Sequence, residues 1–174
     1  MPQGLFKPMP VAEQGIDPDR YTIIPRVLVF ITHGEEVLLL RGSANKRIWP
    51  NQYNGIGGHI ERGEDVLRAA RRELIEETGL STSELWLCAI VTVDTGRSPG
   101  IAIFVFRGES QQVDVLNTYE GQPEWIPKNK VTDFPLVKDL YLLLPKVLSS
   151  KRGDSPFFAL YSYNEQDELV VHFQ

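Results

Sequence analysis

Hydrophobic and polar residues follow each other along the chain in a pattern that predicts both strands and helices. Runs rich in Ile, Val and Phe at 21–32 and 37–41 predict two strands joined by a tight turn at 33–36. Further runs predict a strand pair at 85–94 and 101–107, a short strand at 121–127 and a closing hairpin at 156–164 and 168–173. Residues 136–148 predict a helix despite Pro145. Because strands and helices do not alternate regularly, the pattern indicates an α/β fold with a mixed sheet.

The clearest helix in the pattern covers residues 64–78. Glu64 and Asp65 fall in its expected first turn, where the helix dipole favours negative charge. Gly79 follows as the expected left-handed cap. A stripe at helical spacing is expected to be buried, and it consists of Leu67, Ala70, Leu74 and Thr78.

Length and charge limit the classes of protein to which the chain can belong. It has 174 residues, of which 42% are hydrophobic and 24% charged, close to ordinary globular usage. This length predicts one domain over 21–174, preceded by an extension at 1–20 that Pro and Gly residues favour as an extended arm. The formal net charge of -5 argues against a nucleic-acid-binding surface, which needs a basic face. A phosphate substrate stays possible, because a bound metal can supply positive charge locally.

The single cysteine and the hydropathy pattern provide evidence about the cellular location of the protein. Cys88 has no second cysteine to pair with, and its apolar surroundings predict a plain core residue. We find no signal-peptide pattern, and no stretch approaches the roughly 18 apolar residues of a membrane span. We therefore expect a cytoplasmic protein without a membrane or nucleic-acid partner, either a monomer or a homodimer.

The predicted helix at 64–78 carries an acidic face. Glu73, Glu76 and Glu77 stand at i, i+3 and i+4, so their side chains share one face. Each close pair of like charges costs roughly 0.2–0.5 kcal/mol in an exposed helix. One interpretation is a solvated acidic surface. The alternative is a site for a hard divalent cation, because Mg²⁺ and Mn²⁺ prefer oxygen ligands. The glycine pair Gly57-Gly58 favours the second interpretation, since backbone without side chains can approach a metal or phosphate closely.

At this point the sequence resembles a known family. Gly58, five residues, Glu64, seven residues, Arg72-Glu73-Leu74, one residue, Glu76-Glu77, one residue and Gly79-Leu80 match the Nudix box at every fixed position. The resemblance implies a Nudix-type α/β/α sandwich with a mixed β-sheet. It also implies a hydrolase that attacks a nucleoside diphosphate linked to another moiety, with one to three Mg²⁺ or Mn²⁺ ions as cofactors.

The resemblance assigns roles to residues of the box. It implies metal ligands at the carboxylates of Glu73, Glu76 and Glu77 and at the carbonyl of Gly58, with Arg72 and Glu64 as a supporting pair. Metal would lower the pKa of a bound water that attacks phosphorus in line. A carboxylate takes the proton, and Glu77 and Glu120 are the two candidates. The alternative for Glu120 is a solvated loop carboxylate.

The flanks of the box are similar to those of the MutT-like branch, which acts on purine nucleoside triphosphates, including oxidised ones. The similarity implies that Asn54 hydrogen-bonds the base edge, that Gly57 lies close to the substrate, and that Asp139 contacts the base. The mammalian members of that branch that clear oxidised purine triphosphates carry two adjacent aspartates where this chain has Lys138-Asp139. Recognition of 8-oxoguanine is therefore open, as is whether Lys138 contacts phosphate or a base.

Several alternatives remain at the level of sequence. Asn54 could be a turn residue before glycine, and Asp139 a helix-start residue favoured by the dipole. Trp49, Tyr53 and Phe30 could stack on a base or pack in the core. ADP-ribose and dinucleoside polyphosphates stay open as substrates. A function of another class, a non-catalytic nucleotide-binding module, also remains.

Overall fold

Strands dominate the secondary structure. The computed structural model describes residues 10–17, 19–82 and 84–174. Within those ranges the strands are β1 (Ile23–His33), β2 (Glu36–Gly42), β3 (Tyr53–Asn54), β4 (Leu85–Val93), β5 (Gly100–Glu109), β6 (Gly121–Pro127), β7 (Phe157–Tyr163) and β8 (Leu169–Phe173), and the helices are α1 (Val66–Thr78) and α2 (Leu140–Ser149).

The strands form one mixed sheet. Its order is β3-β2-β1-β5-β4-β7-β8, and β6 pairs with β2. The pairs β1–β5 and β4–β7 are parallel, whereas β1–β2, β2–β6, β4–β5 and β7–β8 are antiparallel. The predicted α/β class with a mixed sheet is confirmed, and so are the two strand pairs and the closing hairpin.

Successive residues of β1 point to opposite faces of the sheet, as strand geometry requires. Val27, Val29 and Ile31 belong to the core cluster that includes Ala70 and Leu74 of α1. Leu28 and Phe30 belong to the cluster that includes Leu140, Leu143 and Leu144 of α2. One helix thus covers each face, and the expected α/β/α sandwich is confirmed. Cys88 is buried in the second cluster, as predicted.

Helix α1 begins two residues later than the sequence pattern predicted. Asp65 is its N-cap, and its carboxylate accepts hydrogen bonds from the backbone N–H groups of Leu67 and Arg68, both at 2.9 Å. Such a cap contributes about 1 kcal/mol. Glu64 therefore precedes the helix instead of standing in its first turn. At the other end Gly79 has φ 74° and closes the helix as predicted. Of the expected stripe, Ala70, Leu74 and Thr78 are buried and Leu67 is half-buried against the core.

Helix α2 begins at Leu140, four residues after its predicted start. Leu136 forms a parallel bridge with Tyr53, and the N–H of Val137 donates to the carbonyl of Tyr53 at 3.0 Å. These contacts hold residues 136–137 beside β3, so the helix cannot begin before them. At its end, the Arg107 guanidinium donates to the carbonyl of Leu148 at 2.8 Å. Arg107 thereby satisfies a carbonyl that the helix leaves without a partner.

The predicted N-terminal arm lies partly outside the described residues, which begin at 10. In its described part, Val11–Gln14 forms a short 3-10 turn, so that portion is not extended. None of the helices in the described ranges is long and apolar enough to span a bilayer.

Candidate active site

A cavity of about 460 Å³ opens at one end of the sandwich. Strand β1, the loop between β3 and α1, helix α1 and the residue before α2 all contribute to its wall. Seven of the residues predicted for the site line it, namely Asn54, Gly57, Gly58, Glu73, Glu77, Glu120 and Asp139. The fold therefore brings most of the predicted site together around one opening.

The glycine pair lets the loop pass closely between β1 and α1. The Val27 N–H donates to the carbonyl of Gly58 at 2.9 Å. A Cβ on Gly57 would collide with the Val27 carbonyl, and a Cβ on Gly58 would collide with the carboxylate of Glu73. At Gly57 the obstacle is backbone, so a side chain there would displace the loop from β1, whereas at Gly58 it is the end of a flexible side chain, so a side chain there would displace the Glu73 carboxylate. Gly57 thus lets the loop lie against β1, and Gly58 leaves room for the carboxylate of Glu73.

Glu77 is an unusual member of that acidic face because it is 4% exposed. Its Oε2 accepts a hydrogen bond from the Gly57 N–H at 2.8 Å. Burial raises the pKa of Glu77 to about 7, and the hydrogen bond from Gly57 only partly opposes this effect. The negative charges of Glu120 and Glu73 raise the pKa further. A nearby cation would stabilise the ionised form of this carboxylate.

Arg72 connects the other carboxylates of the helix face. Its Nε and Nη2 donate to the two oxygens of Glu64 at 2.9 and 3.0 Å, a bidentate pair. Its Nη1 donates to Glu73 at 2.8 Å and to Glu76 at 2.9 Å. The hydrogen bonds from Arg72 hold the pKa of Glu64 below its usual range. The contact predicted between Arg72 and Glu64 is present, and its role in orienting metal ligands stays a prediction.

The oxygen atoms predicted to bind metal suit a hard divalent cation in their chemistry, because all are carboxylate or carbonyl oxygens. Their side chains, however, are not arranged around a common point. Within the described ranges, no three His, Cys, Asp or Glu side chains are grouped so that they could hold an ion. Glu73 and Glu76 point to Arg72, while Glu77 points to Gly57. Each of these hydrogen bonds uses one oxygen of its carboxylate, so a cation could bind the second oxygens or displace the present partners.

Glu120 reaches the same cavity from the segment before β6. Its carboxylate pairs with the ammonium of Lys46 at 3.4 Å, and both side chains are more than a third exposed. Its charge also raises the pKa values of Glu73 and Glu77, so the three carboxylates influence each other. Glu120 is thus an accessible carboxylate in the same cavity wall as Glu73 and Glu77, and its role in proton transfer stays a prediction.

The residues predicted to bind substrate divide into two groups. Asn54 and Asp139 line the cavity, whereas Lys138 is exposed and does not. The Oδ1 of Asn54 accepts from the Gly55 N–H at 2.8 Å, so this residue also serves the turn. Asp139 is the N-cap residue of α2 without a side-chain capping hydrogen bond. Burial raises its pKa, and hydrogen bonds from the backbone at Asp139 and Leu140 partly oppose this effect. Contact with a substrate and a role at the start of the helix both stay predictions for this residue.

The three aromatic residues considered for base stacking differ in their burial. Phe30 and Tyr53 are buried in the core, so the packing alternative is correct for both. Trp49 lines the cavity and is 46% exposed. The sequence pattern missed two cations of the cavity wall, Arg26 and Lys46. A charged residue inside the otherwise apolar β1 was the available signal for Arg26.

Comparisons with known proteins agree with this geometry. The sequence model of the NUDIX domain matches residues 22–147. The chain is 31% identical over 157 residues to an oxidized purine nucleoside triphosphate hydrolase of Danio rerio, a match that covers 83% of this chain and 90% of the relative. It is similar in structure to a mutator MutT protein from Bacillus halodurans, with a TM-score of 0.73, 24% identity and coverage of 87% and 97%. A NUDIX domain of Shewanella oneidensis NrtR, solved with ADP ribose, has a TM-score of 0.62, 18% identity and coverage of 80% and 97%.

The chain therefore belongs to the Nudix hydrolase family. Its relatives and structural neighbours place it with the MutT-like members of that family.

Proposed function

We propose that this enzyme is a metal-dependent pyrophosphohydrolase that converts a purine nucleoside triphosphate to the monophosphate and pyrophosphate. The observation that supports the proposal most directly is the buried carboxylate of Glu77, which lies in one cavity wall with Glu73 and Gly58. The name of the Danio rerio relative supports the substrate class, as an oxidized purine nucleoside triphosphate hydrolase. Asn54 and Asp139 provide an amide and a carboxyl group for the base in the same cavity.

The proposed cofactor is Mg²⁺ or Mn²⁺, held by the carboxylates of Glu73, Glu76 and Glu77 and by the Gly58 carbonyl. A bound ion of this kind neutralises phosphate oxygens and lowers the pKa of a coordinated water. Arg72 would keep its bidentate pair with Glu64 while it releases Glu73 and Glu76. This exchange is inexpensive for Glu76, since that carboxylate is 58% exposed in its pair with Arg72.

Glu120 and Glu77 are the two groups proposed to accept the proton of the attacking water. Glu120 has the easier path for releasing that proton to solvent, because its carboxylate is partly exposed. Glu77 is buried and is better suited to hold a cation, because ionising a buried carboxyl without a positive neighbour is costly. We therefore assign the oxygen atoms of Glu120 to proton transfer and those of Glu77 to metal binding.

A hydrolysis screen tests the proposal. The wild-type enzyme is incubated with Mg²⁺ or Mn²⁺ and with normal and oxidised purine nucleoside triphosphates, ADP-ribose and dinucleoside polyphosphates, and the nucleotide products, pyrophosphate and phosphate are separated by chromatography and quantified. We expect pyrophosphate from the triphosphates only, and none when EDTA is present. Glu77→Gln should lower kcat by at least about 100-fold, whereas the matched change Glu165→Gln in the exposed β7–β8 turn should leave it unchanged.

Three outcomes of the screen would contradict parts of the proposal. A strong preference for ADP-ribose would show that the proposed substrate class is wrong, although the proposed cleavage of a diphosphate linkage would stand. Nucleotide binding without any metal-dependent release would indicate a non-catalytic module. Wild-type turnover by a folded Glu77→Gln variant would show that Glu77 has no role in catalysis.

A further inference from the structure

Arg26 is a cation in the cavity wall that takes no part in the proposed binding of metal or transfer of a proton. It lies in β1 and lines the cavity together with Leu28, Ile103 and Asp139. Its backbone pairs with that of His59, directly after Gly58. The residue thus stands at the opening where the glycine loop meets the sheet.

The guanidinium of Arg26 has unmet hydrogen-bonding capacity. Its Nε is buried without a hydrogen-bond partner in the described part of the chain. None of the ion pairs formed by the described residues includes Arg26. A buried donor without an acceptor is unfavourable, so an acceptor that reaches this atom would stabilise it. Since the side chain lines an open cavity, a ligand can supply the acceptors.

The face of the sheet identifies the part of the substrate that Arg26 would meet. Leu28 and Phe30 pack in the cluster that includes α2, whereas Val27 and Val29 pack against the apolar residues of α1. By strand alternation Arg26 lies on the α2 face. Its parallel partner in β5 is Ile103, which also packs with the α2 cluster. Arg26 therefore lies on the side of the sheet that carries Leu28, Ile103 and the α2 cluster, opposite to Val27 and Val29, which pack against α1.

The cavity lining on this side of the sheet has the chemistry of a base-binding wall. Leu28 and Ile103 provide apolar surface, Asp139 provides a carboxyl group, and Arg26 provides a planar set of donors. Arginine recognises two adjacent acceptors with two parallel hydrogen bonds, and O6 and N7 of guanine are such a pair. We infer that Arg26 binds the acceptor edge of a guanine base and so helps to select the substrate. This inference rests on the proposed hydrolysis of nucleoside triphosphates.

Steady-state kinetics with dGTP and 7-deaza-dGTP test the inference, because the second nucleotide lacks only the N7 acceptor. The wild-type enzyme should show a KM for 7-deaza-dGTP about tenfold higher than for dGTP, with similar kcat. In Arg26→Leu the KM for dGTP should rise about tenfold and the difference between the two nucleotides should vanish. Arg26→Lys should recover part of the affinity for dGTP. Arg97→Leu, which removes one exposed positive charge from the β4–β5 turn, should behave as wild type.

Other results would overturn the inference and distinguish its failure from that of the proposed function. An equal rise in KM for both nucleotides in Arg26→Leu would mean that Arg26 binds phosphate instead. An unchanged KM in that variant would mean that it binds no substrate. Circular dichroism melts of both Arg26 variants establish that they are folded, and isothermal titration with dGMP gives a second measurement that does not depend on turnover. If the wild-type enzyme hydrolyses neither dGTP nor 7-deaza-dGTP and does not bind dGMP, the inference about Arg26 fails. The proposed function fails as well only if the other purine nucleoside triphosphates of the screen also yield no pyrophosphate.

Discussion

At the scale of single residues, the buried carboxyl of Glu77 opposes folding whenever it is ionised. Burial raises its pKa from 4.5 to about 7, while Arg72 lowers that of Glu64. The two groups change the stability of the fold in different pH ranges. Glu64 does so below pH 4.5, because its pKa is lowered in the folded state, and Glu77 does so above pH 4.5, because its pKa is raised. Ionisation of Glu77 is the condition under which metal binding would be most favourable, since metal ligands must be deprotonated.

The raised pKa of the buried Glu77 predicts how the stability of the fold depends on pH in the absence of divalent metal. Between pH 4.5 and 7 the folded state keeps a proton on Glu77 that the unfolded state releases, so the free energy of unfolding should fall as pH rises through this range. In thermal melts with EDTA, the wild-type Tm should drop by about 5–10 °C between pH 5 and pH 8. Glu77→Gln should remove most of that pH-dependent change in Tm. Identical profiles for the two proteins would contradict the assignment.

At the scale of secondary-structure elements, α2 depends on contacts from elsewhere in the chain at both ends. Its start is set by Leu136 and Val137 beside Tyr53, and its end by the guanidinium of Arg107 on β5. Arg107 is 9% exposed and also lies over the ring of Trp86, 5.6 Å from its centroid. Since Asp139 directly precedes this helix, the position of α2 also sets one wall of the cavity.

Arg107→Met should therefore destabilise the protein by about 2 kcal/mol, because carbonyl groups at the end of α2 lose a buried charged donor. Urea unfolding measures this change. The matched control is Arg152→Met, which removes an exposed arginine paired with Glu84 at 3.2 Å and should cost less than about 0.5 kcal/mol. Equal effects of the two substitutions would show that the contact between Arg107 and α2 contributes nothing to stability.

The same elements show how far the sequence could predict the structure. The helix with Glu73, Glu76 and Glu77 was predictable because spacing along one helix is local. The start of α2 was not, since it depends on a pairing between Leu136 and Tyr53 that local periodicity cannot indicate. Arg26 was missed for a similar reason: strand alternation places it on one face of the sheet, but only the packing of α2 makes that face a cavity wall.

At the scale of the whole molecule, the sandwich brings α1 and the start of α2 to the same cavity from opposite faces of the sheet. The acidic helix and the proposed base-binding wall thus meet around the Gly57-Gly58 loop. The single sheet from Ile23 to Phe173 agrees with one domain over 21–174, although that boundary stays a prediction. The cytoplasmic location and the choice between monomer and homodimer also remain predictions.

We propose above all that the carboxylates of α1 hold divalent cations beside the phosphates of a nucleotide. The most direct test is a crystal structure with Mn²⁺ and a non-hydrolysable purine nucleoside triphosphate, in which anomalous scattering locates the metal. The account predicts a manganese peak bounded by Glu73, Glu77 and the Gly58 carbonyl, with Arg72 still paired to Glu64. A bound nucleotide whose phosphates have no ion between them and these carboxylates would contradict it.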